Sequence, residues 1–238
     1  RFEEGPHIYY INGDPSFTSV TTWCHSHFEK FNADAIIDKM MASKKWPKSK
    51  YFGKTKEEIK EGWSQNGKTA SEAGTKLHYD IECFYNGVAN ENDSVEYKYF
   101  LDYHEKMTKG LKPYRTEWTV FHEELKIAGS IDMIYENEQG ELIIADWKRC
   151  KEIKKGNRFR SSHTECISHL PDSNFWHYAL QLNTYRIILE EKYDKKIVDM
   201  FLVRLHPNAK KWEKVNIPFL HGEMGDLREE RLKQISSL

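Results

Sequence analysis

The 238-residue chain is 39% hydrophobic and 31% charged, with 13 Gly and 7 Pro. That balance excludes collagen-like, low-complexity and wholly disordered classes and suits one sizeable domain. Its 36 basic and 37 acidic residues leave a formal net charge of −1, so the average charge points to no polyanionic partner. No apolar run approaches the ~20 residues that a membrane-spanning helix needs. The opening Arg1-Phe2-Glu3-Glu4-Gly5-Pro6 lacks both an initiating Met, as in a piece of a longer chain, and an apolar secretion segment. Four scattered cysteines (Cys24, Cys83, Cys150, Cys166) fit a reducing compartment. The expectation is a soluble intracellular protein with no membrane partner; cytoplasm, nucleus and mitochondrion are not distinguished.

His7–Tyr10, Asn12-Gly13-Asp14-Pro15 and Phe17–Val20 predict a small hairpin. Ser19-Val20-Thr21-Thr22 leads into helical segments to about Met41. Trp63–Tyr85 carries Ala70, Ala73, Leu77, Ile81 and Phe84 at steps of three or four, which predicts a helix. Val95–Met107 predicts another, ending near Gly110 and Pro113. The pattern then turns to strands. Thr116–Phe121 alternates, with Glu117, Thr119 and Phe121 on one face and Trp118 and Val120 on the other. Leu125–Tyr135 and Leu142–Trp147 predict two more strands, joined by the polar turn Glu136-Asn137-Glu138-Gln139-Gly140, in an antiparallel meander of three. Asp172–Lys192 returns to helical period, with Tyr178, Leu182, Tyr185 and Leu189 on one stripe. Ile197–Leu205 follows as a strand reached by a helical crossover, hence parallel to its neighbour. The predicted class is α/β: a mixed sheet of meander, crossover and further strand, flanked by helices.

Charge is distributed unevenly. Lys44, Lys45, Lys48, Lys50, Lys54, Lys56 and Lys60 are opposed locally by Glu57 and Glu58 alone. Lys148, Arg149, Lys151, Lys154, Lys155, Arg158 and Arg160 are opposed by Glu152 alone. Two basic segments on a neutral chain suggest a groove facing a polyanion, the plain alternative being a solvated lysine-rich face.

The strongest chemical signal is Asp132 followed by Asp146-Trp147-Lys148. Residues two apart on a strand share a face, so Asp146 and Lys148 point the same way, and a hairpin can bring Asp132 beside Asp146. An acidic residue two before a lysine also occurs at Glu58/Lys60, Glu96/Lys98, Glu124/Lys126, Glu152/Lys154, Glu190/Lys192 and Asp194/Lys196, all in polar surroundings. Asp146/Lys148 alone follows a buried-type run, Leu142-Ile143-Ile144-Ala145, where charge is costly unless paired or ligating. A structural pair ending the strand is the bland reading. Two carboxylates suit a hard ion such as Mg²⁺, and a lysine can position or deprotonate water or offset phosphoryl charge. Metal-assisted phosphodiester hydrolysis fits this set. His78 and Glu82, like Gln181 and Tyr185, stand four apart on helices, where structural roles are the commoner explanation.

Gly74…His78, Gly129-Ser130-Ile131-Asp132, Asp146-Trp147-Lys148 and Gln181…Tyr185, in that order, resemble the PD-(D/E)XK nuclease superfamily. The likeness is to its RecB-like and lambda-exonuclease-like branch and spans about Trp63 to Leu205. Ser19-Val20-Thr21-Thr22 is also similar to some members, and Ile131 stands where the family name has Pro. The resemblance implies a restriction-endonuclease-like fold in a single nuclease domain: residues 1–62 an N-terminal hairpin and helical part, 63–205 the catalytic core, 206–238 a C-terminal extension. It implies Asp132, Asp146, the Trp147 carbonyl and His78 as metal ligands, with Glu117 a further carboxylate, Glu82 a weaker candidate, and Lys148 the catalytic lysine. Gln181 and Tyr185 would contact DNA phosphate or brace that lysine. The implied cofactor is Mg²⁺, with Mn²⁺ able to substitute.

Some relatives carry a four-cysteine iron–sulfur cluster, whose spacing this chain lacks, so none is expected. His163-x-x-Cys166-x-x-His169, with Cys24, His25 and His27 upstream, matches no strong zinc pattern. The long connection from Arg149 to Pro171 combines Lys151, Lys154, Lys155, Arg158 and Arg160 with Phe159, as a strand-gripping loop would. Trp46, Tyr51 and Phe52 sit among the earlier lysines in the same way. Nothing resembles a base-reading module, so DNA would be held with little sequence preference. The expectation is an exodeoxyribonuclease of repair, recombination or replication. Its alternatives are an endonuclease, an RNA-cleaving nuclease or an idle nucleic-acid-binding module. Oligomeric state is open.

Overall fold

The computed structural model describes residues 2–3 and 8–237. Strands β1 (Phe2–Glu3), β2 (Ile8–Ile11) and β3 (Asp14–Ser19) run antiparallel. Asn12 and Gly13 turn β2 into β3 with φ of 51° and 83°, the pair of left-handed residues that a tight hairpin requires. His7, included in the predicted hairpin, lies outside the described residues.

Helix α1 (Val20–His25) starts where Ser19 Oγ accepts from the Thr22 N–H at 3.0 Å. Helix α2 (Ala33–Met41) is capped by Asn32. The helix expected from Trp63 begins about two turns earlier: α3 spans Lys56–Tyr85. Thr55 and Glu58 close a reciprocal capping box at 3.1 and 2.7 Å, so a polar opening that shows no apolar stripe is still helical. Lys56 and Lys60 of the first basic segment pair with Asp34 and Asp38, fastening α3 to α2. Helix α4 is Val95–Met107, with the predicted bounds.

The predicted meander is β4 (Lys112–His122), β5 (Ile127–Glu136) and β6 (Leu142–Lys148), antiparallel in succession. Helix α5 (Asn174–Lys192) crosses to β7 (Ile197–Arg204), which runs parallel to β6. The hairpin does not stand apart, because Thr18 of β3 pairs in parallel with Ile127 at the start of β5. The segment 206–238, expected only as an extension, adds β8 (Glu213–Asn216) beside β7 and helix α6 (His221–Ser236), whose Met224 and Leu227 join the core. The result is a mixed eight-strand sheet flanked by helices, consistent with the restriction-endonuclease-like class.

Alternation along the strands divides the interior in two. Ile144 and Leu202 face α5, with Val20, Leu182 and Ile188. Ala145, Trp147, Phe201 and Val203 face α3 and α4, with Leu77, Phe100 and Tyr103. On β5 the α5 side carries Ile127 and Ile131 but then Ile134, so the two-residue alternation breaks around Asp132. In β4, between the pairs Thr116–Met133 and Trp118–Ile131, Glu117 takes a left-handed φ of 43°. An acidic residue in that conformation costs about 1–3 kcal/mol, and such local strain concentrates at functional sites.

Candidate active site

The site forms where two strands part. β5 and β6 pair from Glu136–Leu142 to Met133–Ala145, after which β6 continues beside β7 alone as far as Lys148–Arg204. Asp132 and Asp146 flank this fork. The Trp147 N–H, freed from the ladder with β5, donates to Asp132 Oδ2 at 2.9 Å. Asp146 is 2% exposed, and its carboxylate lies 2.6 Å from Lys148 Nζ. The ammonium also lies 4.5 Å from the centre of the Tyr178 ring and donates to Gln181 Oε1 at 3.4 Å. Gln181 Nε2 in turn reaches the Tyr185 hydroxyl at 3.5 Å. Tyr178 and Gln181 of α5 thus hold the lysine from one side, with Tyr185 behind Gln181.

Helix α3 supplies the other wall. His78 Nε2 donates to the Trp147 carbonyl at 2.9 Å, and Nδ1 faces the carboxylates. Nδ1 stands 3.4 Å from Asp132 and 3.9 Å from Glu117. Glu117 accepts from Ser130 Oγ at 3.0 Å. Ligand atoms of His78, Glu117 and Asp132 lie within 4.8 Å of one another, a grouping that could hold a metal ion. Glu82 lines the adjoining 560 Å³ groove with His78, Glu117 and Ser130.

Burial, and then the Asp132 charge, push Glu117 up to about 7 and Asp146 up to about 6. Burial works against the Lys148 ammonium, but Asp146 and Asp132 outweigh it and hold the group above the ordinary lysine value. Glu117 and Asp132 gather at the imidazole of His78, Asp146 stands outside that group paired with Lys148, and Glu117 and Asp146 resist ionisation. A hard divalent cation is the species that such a donor set accepts, so the residues fit the ion their chemistry implies.

The cations of the long connection, Lys151, Lys154, Lys155, Arg158 and Arg160, are all exposed. Lys154 pairs with Glu152 at 2.8 Å, Arg160 pairs with Glu29 at 3.2 Å, and Lys155 lies over the Phe175 ring. Sequence reasoning missed Tyr178, which reads as one more residue of a packing stripe, and the Ser130 hydroxyl that steadies Glu117. For Tyr178 the available signal is its place one turn before Gln181.

A family model for the PD-(D/E)XK nuclease superfamily matches residues 22–235. No curated protein matches the chain. Among solved structures, one described as SSO0001 is similar at 14% identity and a TM-score of 0.36, covering 93% of this chain and 77% of its own. A protein of Eubacterium rectale, described provisionally as an exonuclease, is similar at 9% identity and a TM-score of 0.37, covering 93% and 82%. With its family model matched over nearly the whole length, the chain belongs to the PD-(D/E)XK nuclease superfamily.

Proposed function

We propose that the chain is a divalent-metal-dependent exodeoxyribonuclease, using Mg²⁺ with Mn²⁺ as a substitute, in DNA repair, recombination or replication. One observation carries the reading: Asp132, Asp146 and Lys148 converge at a strand fork that His78 and Glu117 close from the far side. His78, Glu117, Asp132, Asp146 and the Trp147 carbonyl would hold the ion. When bound, the ion supplies Lewis-acid stabilisation of the phosphodiester and acidifies water. Lys148, kept protonated by Asp146 and braced by Tyr178 and Gln181, offers positive charge where the phosphoryl oxygens gain negative charge. Tyr185 steadies Gln181. The exposed Lys151, Lys154, Lys155, Arg158 and Arg160 meet the sugar–phosphate backbone, which gives affinity with little sequence preference.

The experiment is digestion of 5′- and 3′-labelled linear DNA beside a covalently closed circle and an RNA oligonucleotide, with Mg²⁺, Mn²⁺ or chelator. Mononucleotide release from linear DNA alone, lost with chelator and in Asp146→Asn and Lys148→Ala, is expected. Cutting of the circle or of RNA would replace the exodeoxyribonuclease assignment by the corresponding nuclease. Binding without cleavage in either metal, or full activity in both variants, would overturn the site.

A further inference from the structure

We propose that Phe159 is a stacking platform for an unpaired nucleobase of the substrate strand; the inference rests on the nuclease reading above. Phe159 is 93% exposed, more than any other large hydrophobic side chain among the described residues. Its backbone is held in place. The Phe159 N–H donates to Asn157 Oδ1 at 3.0 Å, Asn157 Nδ2 donates to the Asp172 carbonyl at 2.8 Å, and the Asp172 N–H returns to the Arg160 carbonyl at 3.0 Å. Nearer the start of the loop, Asn174 bonds both the Lys154 N–H and the Glu152 carbonyl, and Trp176 Nε1 bonds the Lys155 carbonyl. A ring exposed on a tethered loop tip has given up burial without any slackness in the chain to account for it.

The tether ends on α5, the helix that also holds Lys148. Asn174, Asp172 and Phe159 line one cleft of 570 Å³. On the same helix, Tyr178 and Gln181 hold Lys148. At a rise of ~1.5 Å per residue, Asn174 is about 6 Å along α5 from Tyr178 and about 10 Å from Gln181.

The surroundings select the occupant. Arg158 and Arg160 neighbour Phe159 in the chain, with Lys154 and Lys155 on the same loop, and the Arg160–Glu29 and Lys154–Glu152 pairs are exposed contacts that a phosphate can replace. An apolar protein-docking patch would be broader and depleted of charge. A single aromatic face among cations matches the demands of single-stranded nucleic acid: a stacking surface beside backbone neutralisation.

The test compares the full chain with Phe159→Ala and Phe159→Trp on a fluorescein-labelled single-stranded 20-mer. Binding is measured by anisotropy with metal chelated, and KM and kcat are measured with Mg²⁺. Phe159→Ala is expected to weaken binding and raise KM roughly fivefold to a hundredfold, while Phe159→Trp restores both. In a series of 20-mers with one abasic nucleotide each, one position should weaken the wild type to the level of Phe159→Ala and leave that variant unaffected. Equal binding by wild type and Phe159→Ala on every substrate, or penalties that simply add at every abasic position, overturns the platform. If the non-additive position appears in binding while no metal supports cleavage, the platform stands and the nuclease reading falls. Cleavage with a silent Phe159→Ala gives the reverse.

Discussion

Gly129 of β5 lies under the ring of Tyr185. A Cβ at this glycine would stand 2.8 Å from both the ring Cε1 and the hydroxyl, and 3.1 Å from Val20 Cγ2. The glycine of the Gly129-Ser130-Ile131-Asp132 motif is therefore required by a tyrosine on a helix that begins 45 residues later in the chain, after 129 and at 174. Gly129→Ala should destabilise the fold by about 1–3 kcal/mol through overpacking. In thermal denaturation, Gly129→Ala combined with Tyr185→Ala should cost less than the sum of the two single changes, because the tyrosine truncation opens the space that the methyl needs.

Lys148 depends on α5 for its position, not only on Asp146. Lys148→Ala should lower kcat at least about a hundredfold, as expected for loss of a charge aimed at the reacting group. Tyr178→Leu keeps the volume apolar but removes the ring face under the ammonium, and a severalfold loss of kcat is expected. Circular dichroism and steady-state kinetics on the purified variants check both; wild-type kcat in Tyr178→Leu would remove the tyrosine from the site.

Glu117 costs stability when no cation is bound. Its carboxyl is raised by folding to about 7, so the folded chain holds that proton more tightly than the unfolded chain. Stability therefore falls as pH climbs from about 4.5 through 7, where ionisation is forced beside Asp132. At pH 8 with chelator, Glu117→Gln should melt about 2–4 °C above the wild type. Adding Mn²⁺ should raise the wild-type midpoint more than that of Glu117→Gln, since the ion stabilises the folded state in proportion to its affinity.

His27 makes folding acid-sensitive. Its ring is 6% exposed, its Nδ1 is bonded to Thr164 at 2.9 Å, and burial, with His163 and Arg231 nearby, lowers it to about 4. The folded chain thus keeps His27 neutral where the unfolded chain takes up a proton, and the stability present above about pH 6.5 is lost as pH falls towards 4. Between pH 7 and pH 5 this amounts to about 2 kcal/mol. Urea unfolding at both values should show His27→Gln losing less stability than the wild type by that amount.

Short-range pattern was enough for much of this protein. Strand alternation places Asp146 and Lys148 on one face, and the apolar stripe of Val95–Met107 marks α4 with its observed ends. The switch from helical to strand period also announces the meander and the parallel β7. These follow from backbone geometry, which repeats every two or 3.6 residues and so leaves a local trace. The fork between β5 and β6, the reversed backbone at Glu117, the reach of His78 to a carbonyl at residue 147, and Tyr178 beneath Lys148 leave no such trace. The joining of β3 to β5 is of the same kind, whereas the start of α3 at Lys56 is set by the local Thr55/Glu58 capping box, which apolar periodicity passes over. The long-range features arise because two interiors must be filled at once, one against α5 and one against α3 and α4. Where both packings meet around Asp132, the ladder yields and the carboxylates are brought together.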